Sequence, residues 1–157
     1  MLDTSALIRL KSVLPVADQW PALVQMSALV STGHLAYPRQ VARELKEARH
    51  PDAPGVWAAG QSGSIWHPEP SDDHVAEAMG AAQLVDPSSE REEADPYVVA
   101  MALGIHEHYP SADVVVVTED RVDRMPAKEA LATACSRLGL AECNIDTFVD
   151  WLRSGPA

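Results

Sequence analysis

Apolar positions recur at helical spacing along most of the chain. Ala6, Leu7, Leu10, Val13 and Leu14 share three- and four-residue spacings (6/10, 7/10, 10/13 and 10/14) until Pro15, which predicts a first helix entered from the turn Asp3-Thr4-Ser5. Trp20, Leu23, Val24, Met26 and Leu29 mark a second helix over about 18–31. Pro38 opens a third, running to about residue 49; a brief helix is expected around 56–59, and another over about 71–84. Asp95-Pro96 pairs an N-cap type of residue with proline at the first helical position, so a helix should begin there and end near Tyr109-Pro110. Residues 127–138 read as helical up to Gly139, and Asp146 is expected to cap a last helix that continues through Trp151.

Strand signals are fewer and shorter. The clearest is 113–117, where four consecutive valines follow Asp113; such a run is buried on both faces, as in the centre of a parallel sheet. Met1-Leu2, 35–37, 64–67 and 141–145 are shorter candidates, and 50–63 and 86–93 are rich in loop residues. Strands alternating with helices predict an α/β fold with a parallel sheet covered on both faces. A chain of 157 residues is the size of one domain.

Composition adds limits. With 46 % hydrophobic and 22 % charged residues, the balance is that of a soluble globular protein. No apolar run approaches the ~18 residues of a membrane span, and the first residues lack the pattern of a secretory signal. Cys135 and Cys143 form neither a CxxC pair nor a disulfide framework, which fits reduced thiols in a cytoplasmic protein. The charge is −11, from 23 acids against 12 Lys and Arg, whereas a general nucleic-acid binder carries a basic footprint. Three explanations stay open: nucleic acid is met only locally, the acids serve a metal, or the usual partner is a basic protein.

Four acids stand at telling places. Asp3 and Asp120 follow predicted strands and so belong at the carboxyl edge of the sheet, where ligands gather in parallel α/β folds. Asp95 opens a helix. Glu44 falls about 60° from Val41 on the apolar stripe of Val41, Leu45 and Ala48, and a carboxylate there costs free energy unless it is paired or holds a metal. Carboxylate oxygens suit hard cations such as Mg²⁺ or Mn²⁺, which activate water and stabilise charge on a phosphodiester.

The segment 3–8, Asp-Thr-Ser-Ala-Leu-Ile, resembles the opening of PIN domains, the nuclease fold of VapC-type bacterial toxins. Glu44 in Val-Ala-Arg-Glu-Leu is similar to their second acid, Asp95 in Ala-Asp-Pro-Tyr-Val-Val-Ala-Met-Ala to their third, and Thr118-Glu119-Asp120 to the Thr-x-Asp of their fourth. The four follow in the right order from Asp3 to about Trp151. The resemblance implies a three-layer α/β/α sandwich with a mostly parallel central sheet. It also implies Mg²⁺- or Mn²⁺-dependent endoribonuclease activity, a homodimer, and a protein antitoxin as partner. Asp3, Asp95 and Asp120 would hold the metal, with Glu44 as the remaining catalytic acid. Only Met1 and Leu2 precede Asp3, so the first strand is either stunted or begins upstream.

Around this set, Asp123 is the alternative to Asp120. Ser5 and Thr118 are candidates to orient the acids through their hydroxyls, local turn hydrogen bonding being the alternative. Arg39, Arg43, Lys46 and Arg49, with Arg121 and Arg124, offer a local basic rim in which Arg39, Arg43 and Arg121 would contact RNA phosphates; salt bridges to the many acids are the other reading. A PIN-like module that binds RNA or protein without cutting is the main functional alternative. A haloacid-dehalogenase-type phosphatase would need a second Asp at position 5, which is serine, and a receiver domain would need a lysine after the late strand.

Overall fold

The computed structural model describes residues 1–47, 52–61, 63 and 66–155. The order of elements is α1 (Thr4–Val13), α2 (Val16–Ser31), α3 (Arg39–Glu47), α4 (Ala53–Ala59), α5 (Asp72–Ala81), α6 (Asp95–His108), β1 (Val115–Val117), α7 (Leu131–Arg137), β2 (Ala141–Cys143) and α8 (Ile145–Ser154). The fold is mixed α/β and mostly helical among the described residues, around a small parallel sheet of two strands.

Val115, Val116 and Val117 pair with Ala141, Glu142 and Cys143 in parallel register. Leu2 adds a parallel bridge to Val117 on the other side of β1, with the Asp3 amide donating to Val117 O at 3.1 Å and the Val117 amide to Met1 O at 2.8 Å. Residues 35–37 carry single backbone bonds in place of the expected strand: Leu2 N–H donates to Ala36 O and Tyr37 N–H to Gly63 O, both at 2.9 Å. Gly63 is required there, because a Cβ would lie 2.4 Å from the Tyr37 ring. Of the expected strand over 64–67, positions 64 and 65 lie outside the described residues, as does the tail of the third helix over 48–49.

The helices follow the apolar spacing, and their ends follow side-chain caps. Asp3 caps α1 by accepting from the Thr4 and Ser5 amides, and Ser71 caps α5 through the His74 amide. Asn144, rather than Asp146, caps α8 by accepting from the Thr147 amide. Two further boundaries differ from expectation. Ala94, without a side-chain cap, precedes α6, and Asp95 is its first helical residue. The helix expected over 127–138 begins only at Leu131, because Gln83 takes the Pro126 and Ala127 carbonyls and Arg124 bridges Lys128. Gly139, at φ +70°, ends α7 in the left-handed conformation that favours glycine.

α6 is the central helix: Val98, Val99, Ala100, Met101, Ala102 and Ile105 are all buried. All but Ala100 join Leu2, Leu7, Leu10, Met26, Val41, Val116, Leu131 and Phe148 in one core. That continuity holds α1, α3, α6 and β1 in fixed relation, and it is from their ends that the candidate site is built. No helix among the described residues is long and apolar enough to cross a membrane.

Candidate active site

Asp3 leaves the end of its parallel bridge and enters α1 almost fully buried, at 1 % exposure. Burying a carboxylate is costly unless its oxygens are satisfied, and here both are. The Thr4 amide donates to Oδ1 at 2.6 Å, while Oδ2 accepts from Thr118 Oγ1 at 2.8 Å and from Ser5 Oγ. Those hydroxyls also tie down the next turn: Ser5 Oγ accepts from the Glu119 amide at 2.9 Å, and Thr118 Oγ1 from the Asp120 amide at 3.0 Å. Ser5 and Thr118 thus orient an acid and also serve local turn bonding; the two readings open from the sequence coexist.

The other three acids reach the same cavity from different elements. Asp95, in the first turn of α6, is 7 % exposed. Glu44, half-buried on α3, accepts from the Ala94 amide at 2.7 Å, so it sits at the positive end of the α6 dipole. Asp120 Oδ2 accepts from the Leu131 amide at 3.2 Å, and its Oδ1 from Arg124 at 2.8 Å. Asp123 instead braces the turn before α7, accepting from the Ala130 amide at 2.8 Å and Thr133 Oγ1 at 2.7 Å. Asp3, Glu44, Asp95, Glu119 and Asp120 line one cavity of about 290 Å³, with Arg124 and Lys128 as the basic residues of its lining among the described residues.

Lys128 is the residue the sequence pattern passes over, because it falls in a stretch that reads as helix. Its Nζ donates to Asp95 Oδ2 and to Glu93 Oε2 at 3.1 Å, and lies 3.9 Å from Asp120 Oδ2. One signal could have found it: gathered buried acids demand a counter-charge, and Lys128 is the lysine nearest Asp120 in sequence.

The charge balance shifts Asp3, Glu44, Asp95 and Lys128. Burial foremost, then the Asp120 charge, raises the Asp3 carboxyl against the pull of its hydroxyl and amide donors. Burial and then the Asp3 charge raise Asp95 to about 8, with Lys128 opposing. Glu44 is raised by burial and by Asp3, against the Thr4 hydroxyl, the Ala94 amide and Lys128. Burial would lower the Lys128 ammonium, but Asp95 and Glu93 outweigh it and hold it above the usual lysine range. One ammonium cannot neutralise both Asp3 and Asp95, so burial and crowding favour the neutral form of these acids while their charge favours the protonated Lys128.

The basic rim is only partly free. Arg43 pairs with Glu92 at 2.9 Å, and Arg121 holds both oxygens of Glu142. Arg39 is exposed, with no ion-pair partner among the described residues. Arg49 lies outside them.

The donor set has the chemistry of a hard-cation site: carboxylates from four segments around one cavity, with Asp3, Glu44 and Asp95 raised above their ordinary range. The Thr4 hydroxyl is buried there, close enough to Glu44 to favour its charge but outside ordinary hydrogen-bond geometry. Yet no three His, Cys, Asp or Glu side chains among the described residues are grouped so as to hold a metal ion; the acids are spread over their amide, hydroxyl and Lys128 partners. A second cavity, about 380 Å³, contains Ser71, His74 and Glu107, linked at 2.9 and 3.0 Å. Ser71 is committed to capping α5 and Glu107 is 76 % exposed, so this chain of contacts lacks the enclosure that nucleophilic catalysis needs.

Over residues 1–153 the chain matches a family described as a domain of unknown function (DUF4411), and it belongs to that family. No curated protein and no solved structure matches it.

Proposed function

We propose that this protein is a metal-dependent endoribonuclease of PIN type, the toxin of a toxin–antitoxin pair. The observation that carries the reading is the convergence of Asp3, Glu44, Asp95 and Asp120, far apart in sequence, on one cavity at the carboxyl edge of the parallel strands. The three-layer α/β/α sandwich belongs to the same proposal. It is supported by the parallel pairing of Leu2, β1 and β2 and by the backbone bonds that continue from Leu2 to Ala36.

Asp3, Asp95 and Asp120 would hold Mg²⁺ or Mn²⁺, with Glu44 adjoining them. When bound, the cation supplies charge to the scissile phosphodiester and lowers the pKa of water. The chain's own groups prepare the place for it. Thr118 and Ser5 fix the Asp3 carboxylate, and the amide of Leu131 fixes that of Asp120. Glu44 stands beside Asp3 as a carboxyl that burial and the Asp3 charge raise above its ordinary range. Arg39, with Arg43 and Arg121 once released from Glu92 and Glu142, would bind RNA phosphates along the rim. The excess of acids over bases elsewhere would disfavour unspecific RNA binding and favour a basic segment of a protein antitoxin. A homodimer acting in the cytoplasm completes the reading, with Cys135 and Cys143 free.

A second reading, a PIN-like module that binds RNA or protein without cutting, is favoured by one feature: Lys128 stands among the acids, and no three of them are grouped around a metal position. RNA cleavage assayed with EDTA and with added Mg²⁺ or Mn²⁺ separates the two. Cleavage that needs the metal, and is lost in Asp3→Asn, supports the nuclease. Binding without any cleavage supports the silent module, and cleavage undiminished in EDTA sinks the metal mechanism.

A further inference from the structure

We propose that Lys128 is a tethered cation that occupies the acid cluster without metal and competes with the divalent ion for it. The inference deepens the reading of the site as a metal centre and rests on it.

Three observations place the ammonium deliberately. First, its backbone is pinned. The Arg124 amide donates to Lys128 O at 2.8 Å, the Glu129 amide donates to Gln83 O at 2.8 Å, and Gln83 Nε2 donates to Ala127 O at 2.8 Å. Second, the side chain is drawn inward: Lys128 is 15 % exposed and its Nζ touches Asp95 and Glu93. Third, Glu93 is itself fixed, accepting from the Asp86 amide at 3.1 Å, and it lies outside the four acids of the proposed centre. Glu93 is therefore an anchor for the lysine, and Asp95 and Asp120 are the acids that Nζ screens, the latter from 3.9 Å.

The physics of competition follows from sharing. A divalent ion held by Asp3, Asp95 and Asp120 would draw on two carboxylates already close to Nζ. Two cations that near each other repel strongly in a partly buried cavity. The lysine stem has rotatable bonds enough to withdraw while its backbone stays fixed. Lys128 thus lets the cluster fold without metal, since it offsets part of the repulsion among the acids. The same contact weakens metal binding, because the ammonium must first leave Asp95.

Lys128→Met keeps the stem and removes the charge. By isothermal titration with MnCl₂ against the metal-free chain, it should bind Mn²⁺ about tenfold more tightly than wild type, within the range of ordinary coupling between sites. Its melting temperature in EDTA should fall below that of wild type. Glu93→Gln tests the anchor and stands in if Lys128→Met fails to fold. Loss of a negative charge alone would weaken Mn²⁺ binding, whereas a loosened lysine should tighten it, by about fivefold, the low end of the same range. Tighter binding in either variant supports the competition. Equal or weaker binding in both overturns it and leaves the metal centre standing. Absence of Mn²⁺ binding in wild type and both variants overturns the metal centre itself, and the competition with it.

Discussion

Thr118 Oγ1 donates to Asp3 Oδ2 at 2.8 Å across a sequence separation of 115 residues. The same hydroxyl accepts from the Asp120 amide, so one buried side chain sets the positions of the first and last acids of the cluster. Thr118→Val keeps the shape and removes both bonds. A buried partner left unsatisfied costs about 1–3 kcal/mol. For a domain of this size each kcal/mol is worth roughly 2–4 °C, so the melting temperature should drop by several degrees. An unchanged melt would mean that the hydroxyl bonds contribute nothing net.

Loss of cleavage should be ordered by position. Asp3→Asn and Asp120→Asn remove proposed metal ligands and should cost more than the ~10–100-fold typical of an orienting residue. Ser5→Ala and Thr118→Val should fall inside that range. Asp123→Asn should leave cleavage near wild type while lowering stability, because Asp123 braces the turn into α7 through the Ala130 amide and the Thr133 hydroxyl. Single-turnover rates on one RNA at saturating Mn²⁺ give the comparison; an Asp123 variant as defective as the Asp120 variant would reverse the assignment.

RNA binding should be carried unevenly by the rim. Arg39 is exposed without an ion-pair partner among the described residues, whereas Arg121 is held by both oxygens of Glu142. For single-stranded RNA each phosphate neutralised contributes about 0.7 to the slope of log K against log salt. Arg39→Ala should therefore reduce the slope by about that amount, and Arg121→Ala by less. Equal reductions would show that Arg121 leaves Glu142 on binding.

What was legible in the sequence followed from local chemistry. The helical spacing of Leu7 and Leu10, the valine run at β1 and the apolar face bearing Glu44 each carry their own periodicity, so helices and core could be read from them. The expected gathering of the four acids depended on Asp3 and Asp120 each following a strand, and the structure brings all four to one cavity. Capping was less legible. Asp95-Pro96 carries the local signal of a cap, yet Glu44, about 50 residues away, reaches the Ala94 amide, and Asp95 turns to Lys128. The late start of α7 was hidden for the same reason, since its would-be first turn is taken by Gln83 from the end of α5. Such competition between distant partners leaves no mark on periodicity.

The last prediction concerns pH, through Asp95. Its folded carboxyl titrates at about 8 against an ordinary value of 3.8, chiefly because it is buried and then because Asp3 is charged nearby. A group raised in the folded state binds its proton more tightly there, so its contribution to stability is complete below the unfolded value. That contribution is lost as pH rises through the folded value. Asp3 and Glu44 are raised as well and act in the same direction. The lowered carboxyls, Asp52, Asp86, Glu92, Asp123 and Glu129, act oppositely, but only in the acid range below their ordinary values. Lys128 stays charged in both states throughout. Between about pH 5 and 8 the raised acids should therefore draw metal-free stability down as pH rises, by up to about 1.4 kcal/mol per unit for each proton involved. They are opposed between about 6 and 8 by the Met1 ammonium, which burial lowers to about 6. Asp95→Asn cannot ionise, so in EDTA it should melt above wild type at pH 8 and show a shallower slope. Saturating Mn²⁺ should flatten the wild-type slope by stabilising the ionised acids, an effect of ~2.7 kcal/mol at a hundredfold excess over Kd. In Asp95→Asn the Mn²⁺ response should shrink. Thermal melts of both proteins from pH 5 to 8, with EDTA and with Mn²⁺, decide the matter: parallel slopes for the two in EDTA would show that Asp95 ionises freely in the fold, and the electrostatic account of the cluster would fail.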